Sequence, residues 1–320
     1  MTFELTFLGT NSALPAHGRF PTAQVLNVQG HLFLIDCGEG TQARMLDYHV
    51  KRHKINQIFI SHLHGDHVFG LIGLLTTLNL MGRENQLDVF SPPGLQDMIE
   101  VQLKISQVRL GFPIHFHVVD TSQYGLIYDN HVVEVFSIPL QHRIPTNGFL
   151  FREKKRRPNI RSEKIEEFNL TVPQILATKE GKDIILEDGR LISNDELTKE
   201  APARRSYAYC SDTCYTESIL PYIKGVDVLY HESTFLHDDL QRAIETKHST
   251  AMQAATIAKK AGVKMLFLGH YSSRHKDATV FEKEAQKTFQ PSRSAKEGMR
   301  VSIPFHQENE KIKIISTDPE

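Results

Sequence analysis

Residues 62–67 read His-Leu-His-Gly-Asp-His, three imidazoles and a carboxylate in six positions, directly after the apolar run Ile58-Phe59-Ile60. Imidazole nitrogen and carboxylate oxygen together suit zinc. In an extended segment His62 and His64 point the same way, because side chains alternate with period two, and Gly65 then permits a sharp turn. Asp66 and His67 follow that turn and open the apolar stretch Val68 to Leu80, which reads as a helix. One loop can therefore serve two ions, and two such ions about 3.5–4 Å apart can clamp a hydroxide between them. As ordinary core residues, three histidines this close would bury several polar groups with no evident partners.

The elements that must position this loop are strands. Phe3 to Leu8, Gln24 to Val28 and His31 to Ile35 are predicted strands, followed by a helix from about Thr41 to Tyr48. Downstream, strands are predicted at Leu87 to Phe90, Ile114 to Val119, Val132 to Ile138, Tyr207 to Cys210, Val226 to Tyr230 and Met265 to Leu268. Helices are predicted at about Gly94 to Lys104 and Thr250 to Ala261. This mixture predicts an α/β fold of two sheets packed between helical layers.

Four polar residues stand just after strand runs, where loops gather around a site: His142, Asp212, His231 and His270. His62, His64 and His142 would hold one ion, and Asp66, His67 and His270 the other. Asp212 can bridge, since a carboxylate offers two oxygens. His248, in Lys247-His248-Ser249-Thr250, precedes a helix that either hydroxyl residue can cap. An imidazole beside a metal pair but outside its ligand set is suited to protonating a departing oxygen, with Glu232 a candidate to orient it.

The chain of 320 residues has room for a large core, with a formal charge of −1 and a pI near 7.0. It is therefore not a protein that coats nucleic acid over its whole surface. Met1 to Phe7 lacks a leader pattern, and no apolar run is long enough to span a bilayer. Cys37, Cys210 and Cys214 form no paired set, so a reducing cytoplasm is the expected location. Residues 152–164 hold seven basic side chains against two acids. From 151 to about 203 the chain is charged and loses the strand rhythm, apart from Asp183-Ile184-Ile185-Leu186 before the turn Glu187-Asp188-Gly189-Arg190. It reads as an inserted projection or a solvated linker within one domain of 1–320.

Leu8-Gly9-Thr10, Asp36-Cys37-Gly38-Glu39-Gly40, the His62–His67 motif, His231-Glu232-Ser233-Thr234, His248-Ser249-Thr250 and Gly269-His270-Tyr271 together resemble the ribonuclease Z family of the metallo-β-lactamase superfamily. The likeness runs over nearly the whole length in the same order. It implies a four-layer αββα sandwich with two zinc ions per subunit, assembled as a homodimer, that removes the 3′ trailer from precursor transfer RNA. It implies the same seven ligands, with Asp66 as general base, His248 as proton donor and Glu232 as its partner. The inserted arm of that family, which clamps the transfer RNA body, corresponds in position to 151–203, although Leu170-Thr171-Val172-Pro173-Gln174-Ile175 lacks the family's Gly-Pro tip.

Two rival readings are a hydrolase of a small phosphodiester, sulfate ester or lactam, and a noncatalytic metal-stabilised RNA-binding subunit. The first needs neither a basic clamp nor His248. The second would normally have lost ligands, and here all seven positions are filled. The expected RNA contacts are Lys154, Lys155, Arg156, Arg157 and Arg161. Replacing Arg156 and Arg157 is expected to raise KM for full-length precursor while sparing small phosphodiesters, and equal loss on both substrates would remove the clamp.

Overall fold

The computed structural model describes residues 1–156, 158–199, 201, 203–305 and 311–316. Alternation along the strands builds it from the inside out. Phe3, Leu5 and Phe7 share one face of Phe3–Gly9, and Phe33 and Ile35 share one face of His31–Ile35. They meet Phe149, Phe151, Tyr207, Tyr209, Tyr230 and Phe267 from a second sheet to form the central core. Phe59 shows how tightly the sheets are joined, with the rings of Phe90, Phe149 and Phe151 at 4.7, 5.5 and 5.3 Å. Truncating such a residue to alanine costs about 3–5 kcal/mol.

The opposite faces of both sheets are also apolar. Val25, Leu34, Ile58 and Val89 pack under the helices Thr41–Asp47, Leu71–Leu80 and Leu95–Ile105, while Leu150, Ala208, Leu229 and Leu266 pack under Ala251–Ala261 and Thr279–Gln286. The result is a four-layer αββα sandwich, as expected.

The first sheet has eight strands in the order Lys313–Ser316, Met299–Ser302, Phe3–Gly9, Ala23–Val28, His31–Ile35, Ile55–Phe59, Leu87–Ser91 and Ile114–Val118. The second has seven, in the order Ser292–Ser294, Met265–Gly269, Val228–Glu232, Ser206–Cys210, Asn147–Glu153, Val133–Pro139 and Gly125–Asp129. His31–Ile35, Ile55–Phe59 and Leu87–Ser91 run parallel, as do Ser206–Cys210, Val228–Glu232 and Met265–Gly269. Their carboxyl ends open on one edge of the sandwich. Among the described residues no helix is long and apolar enough to cross a membrane, and the three cysteines are free thiols.

The structure adds elements not expected from the sequence, among them the strands Gly125–Asp129, Ser292–Ser294, Met299–Ser302 and Lys313–Ser316 and the helix Thr279–Gln286, and it departs further in three places. Val68 to Leu80 is not one helix: a short turn, Gly65–Val68, is followed by Leu71–Leu80. The interruption lies where the backbone crosses the loop after His31–Ile35, and the Gly70 amide donates to the Cys37 carbonyl at 2.9 Å. Second, Asn147–Glu153, in the middle of the second sheet, lacks the alternation that marks a strand because it is covered on both sides. Third, the departure from the sheet begins after Glu153 rather than at 151.

That excursion joins two strands that are antiparallel neighbours, Asn147–Glu153 and Ser206–Cys210. Residues 159–199 fold around their own small core of Leu170, Ile184, Ile192 and Leu197. The hairpin read from Asp183 to Arg190 is present, with Ile184–Ile185 paired to Leu191–Ile192. Thr171 and Gln174 form a reciprocal cap on the helix Val172–Lys179. Asn159–Ile160 pairs with Thr198–Lys199 to close the root.

A Cβ at Gly70 would lie 2.0 Å from the Gly38 carbonyl oxygen and 2.9 Å from that of Cys37. Both are backbone atoms that cannot swing aside. Gly70→Ala is therefore expected to cost about 3 kcal/mol of stability, measured as a lower urea midpoint; an unchanged midpoint would show that the loop yields freely.

Candidate functional site

At the shared edge, the seven expected ligands are delivered by segments that follow strands, while Glu232 ends a strand and His248 stands between two helices. Asp36, Asp212 and His270 all adopt left-handed backbone, with φ of 56°, 57° and 60°. Such conformations cost non-glycine residues about 1–3 kcal/mol each. Here they turn the chain sharply off its strand while the side chain stays buried at the edge.

Two donor clusters form. In the first, the Nδ1 atom of His64 lies 3.0 Å from the Nε2 atom of His62 and 3.2 Å from that of His142. In the second, the Nε2 atoms of His67 and His270 are 3.3 Å apart, and Asp66 Oδ2 is 3.3 Å from His270 Nε2. Asp212 stands between them. Its Oδ2 is 3.5 Å from His62 and 3.7 Å from His142, while its Oδ1 is 3.0 Å from His67 and 3.2 Å from His270. All seven side chains expected as ligands thus converge, with the donor atoms of each group within 4.8 Å of one another.

The protonation states of His62, His64, His142, Asp66 and Asp212 suit cation binding. Burial depresses the imidazoles of His62, His64 and His142, the last two to about 4, leaving nitrogen lone pairs available. Burial works against ionisation of Asp66 and Asp212, but the surrounding histidines outweigh it and hold both below the usual carboxylate range. Burial also opposes a charge on His67, yet Asp212, Asp66 and Asp36 raise its pKa well above its ordinary value. Inward-facing lone pairs and ionised carboxylates are a donor set able to hold metal ions.

The outer contacts fix the rings. His142 has its Nδ1 on the Lys247 carbonyl at 3.0 Å, which directs Nε2 inward. Thr234 links the His270 ring at 2.9 Å to Glu232, to which its hydroxyl donates at 2.6 Å. The amide of Ala13 donates to Asp66 at 2.7 Å and pins that carboxylate.

Asp36 is the residue that sequence reasoning missed. It is fully buried and accepts from the amide and hydroxyl of Ser61, at 2.7 and 2.8 Å, and from the Tyr209 hydroxyl. It also meets the His67 ring at 2.7 Å. The available signal was its position directly after a strand, the criterion that picked out His142, Asp212 and His270. That criterion also selected His231, which is buried with its Nδ1 on the Glu232 carbonyl and belongs to neither cluster.

His248 lies beside both clusters, its ring 5.0 Å from His142 and 5.3 Å from His270. Its Nδ1 meets Glu232 Oε1 at 2.8 Å. Glu232 is fully buried and accepts the amides of Thr213 and Ser249 at 2.8 and 3.1 Å. Burial alone would lower the His248 pKa, but the Glu232 charge outweighs it and pushes it up to about 9. Thr250, not Ser249, caps the helix; the Ser249 hydroxyl donates to the Thr213 carbonyl and ties down the segment that bears His248.

The basic run lies at the root of the excursion, and much of its charge is neutralised within the chain. Lys154 pairs with Asp129 at 2.5 Å, and Arg156 with Glu153 at 2.6 Å while stacking over Phe305. Arg161 donates to the Thr198 carbonyl at 2.9 Å, Lys155 is exposed, and Arg157 lies outside the described residues.

A family model described as Anti-Pycsar protein Apyc1 matches residues 3–134, less than half of the chain. Ribonuclease Z of Bacteroides fragilis is 43% identical over 301 residues, covering 94% of this chain and 99% of its own. The crystal structure of the short form of human tRNase Z has a TM-score of 0.70 at 29% identity, covering 94% of this chain and 99% of that one. The metallo-β-lactamase fold protein YhfI from Bacillus subtilis has a TM-score of 0.65 at 17% identity, covering 94% and 100%, a likeness of fold alone.

Removing the charge of Asp36 should loosen the His67 ring. Asp36→Asn is expected to weaken zinc affinity 10–100-fold in a chelator competition while the far-ultraviolet circular dichroism stays native. Unchanged zinc affinity would show that Asp36 is only a packing residue.

Proposed function

The chain belongs to the ribonuclease Z family, and from that premise we propose that it is a metal-dependent endoribonuclease that removes the 3′ trailer from precursor transfer RNA. The observation that carries this reading is the Glu232–His248 pair set beside two donor clusters that share Asp212. Zinc held by His62, His64 and His142, by Asp66, His67 and His270, and by Asp212 between them would supply Lewis-acid stabilisation of phosphate oxygens and lower the pKa of water.

The chain's own groups do the rest. Asp66, held by the Ala13 amide and in contact with His270, is placed to orient the attacking water as general base. Oxygen from that water bonds to phosphorus, and the bond from phosphorus to the ribose 3′ oxygen breaks. His248, its Nδ1 occupied by Glu232 and its ring lining the cleft, delivers the proton to that departing oxygen. The tRNA is left with a 3′-hydroxyl and the trailer with a 5′-phosphate. The excursion from 154 to 203 is proposed as the arm that engages the RNA body, with exposed Lys155 at its root. Assembly as a homodimer in the cytoplasm is supported by the family resemblance and by the unpaired cysteines.

The test is cleavage of end-labelled precursor tRNA with and without chelator, beside an Asp66→Ala variant. Both treatments should abolish a cut at the 3′ boundary of the mature tRNA, and cleavage that ignored both would sink the metal-dependent reading. His248→Ala is expected to lower kcat on precursor about 10²–10⁴-fold with little change in KM. Its loss on bis(p-nitrophenyl) phosphate should be much smaller, because nitrophenolate leaves without being protonated. Equal losses on the two substrates would remove His248 from the proton-donor role.

A further inference from the structure

The clusters open into a cleft of about 550 Å³ lined by His64, Asp66, Asp212, His248 and His270. Around it stand Arg143, Arg242 and Arg274, each on a segment that also carries a site residue. Arg143 directly follows His142, Arg242 lies on the helix Leu240–Thr246 before His248, and Arg274 follows His270. All three are exposed, and among the described residues none of the three guanidinium groups meets a carboxylate. The contrast with Lys154 and Arg156, both held in ion pairs at the arm root, is direct. Within residues 159–199, moreover, acids outnumber bases. Glu39 is the acid on the cleft rim.

Phe69 also lines the cleft. It is 61% exposed, follows the turn that carries Asp66 and His67, and its ring lies over Gly65. A large aromatic ring left in water on the same cleft as guanidinium groups that no carboxylate neutralises, Arg242 lying over the Phe235 ring, is the combination that binds single-stranded nucleic acid: rings stack bases and arginines hold phosphates. The cleft volume is on the scale of a small-molecule site, which admits a splayed single strand and not a double helix.

Building on the ribonuclease reading above, we propose that Arg143, Arg242 and Arg274 hold the phosphates of the single-stranded RNA spanning the cut, while Phe69 stacks one of its bases. A salt-sensitive grip on the strand at the cut then resides at this rim. These are positioning residues, and they set where along the strand the scissile phosphate comes to rest.

The experiment measures kcat and KM on end-labelled precursor tRNA across a salt series, with thermal unfolding and metal content confirming that each variant is intact. Each of Arg143→Ala, Arg242→Ala and Arg274→Ala should raise KM and reduce the slope of log(kcat/KM) against log[salt] by about 0.7, the value for one phosphate contact on a single strand. The corresponding lysine variants should keep the slope. Phe69→Ala should raise KM about 5- to 150-fold, the range of one lost stacking contact, with an unchanged slope, and Phe69→Trp should restore it. Wild-type slopes in all three arginine-to-alanine variants, or a normal KM in Phe69→Ala, would overturn the proposal while leaving the ribonuclease reading intact. If the wild-type enzyme hydrolyses bis(p-nitrophenyl) phosphate but leaves precursor tRNA whole, the ribonuclease reading itself fails, and the rim with it.

Discussion

A carboxylate buried among imidazoles governs this architecture. Asp212 is almost wholly removed from water, and an isolated charge there would cost several kcal/mol. It is tolerable because each oxygen faces its own histidine cluster, at 3.0 and 3.2 Å on one side and 3.5 and 3.7 Å on the other. The same logic extends outward to Asp36, which is matched by His67, Ser61 and Tyr209, and to Glu232, matched by His248 and two backbone amides. Three buried acids at one edge of a sandwich create a demand for positive charge that the histidines meet only in part. The two donor clusters around Asp212 are a set able to hold metal ions, which would supply the rest.

Holding these groups in place requires rigid walls, and the two sheets provide them. The parallel strands end together, so their terminal turns are stacked side by side and can aim at one point. Left-handed backbone at Asp36, Asp212 and His270 is strain that the packed core can sustain, because the strands on which these residues sit are buried on both faces. The close passage of Gly70 past Gly38 serves the same purpose, since it brings the loop that carries Asp36 against the one that carries His67.

Charge is distributed unevenly between the hydrolytic edge and the arm. Arg205 and Glu153 form a buried pair where the excursion leaves and rejoins the sheet, with Arg156 added to the same carboxylate. That arrangement anchors the root, and a side chain committed to such a pair has less charge to offer a polyanion. The exposed arginines around the cleft carry no such commitment, so basic residues counted along the chain give a poor map of where a phosphate backbone would be held.

The chain's local chemistry determined much of the site on its own. Spacing in His62–His67 and the placement of His142, Asp212 and His270 after apolar runs identified all seven converging side chains, because a strand followed by a polar turn is a local pattern. The Glu232–His248 pairing was legible through the motifs at 231–234 and 248–250. What the sequence did not carry were relations that depend on how distant segments cross. The break at Gly70 comes from a carbonyl supplied more than thirty residues earlier. Asp36 gains its role from Tyr209, which reaches it across the two sheets. Asn147–Glu153 is hidden because a strand covered on both faces loses the period that marks it, and the pairing of Lys154 and Arg156 depends on Asp129 and Glu153 being folded beside them. Residue type and period are properties of the chain; pairing, burial and unpaired charge arise only when the two sheets close.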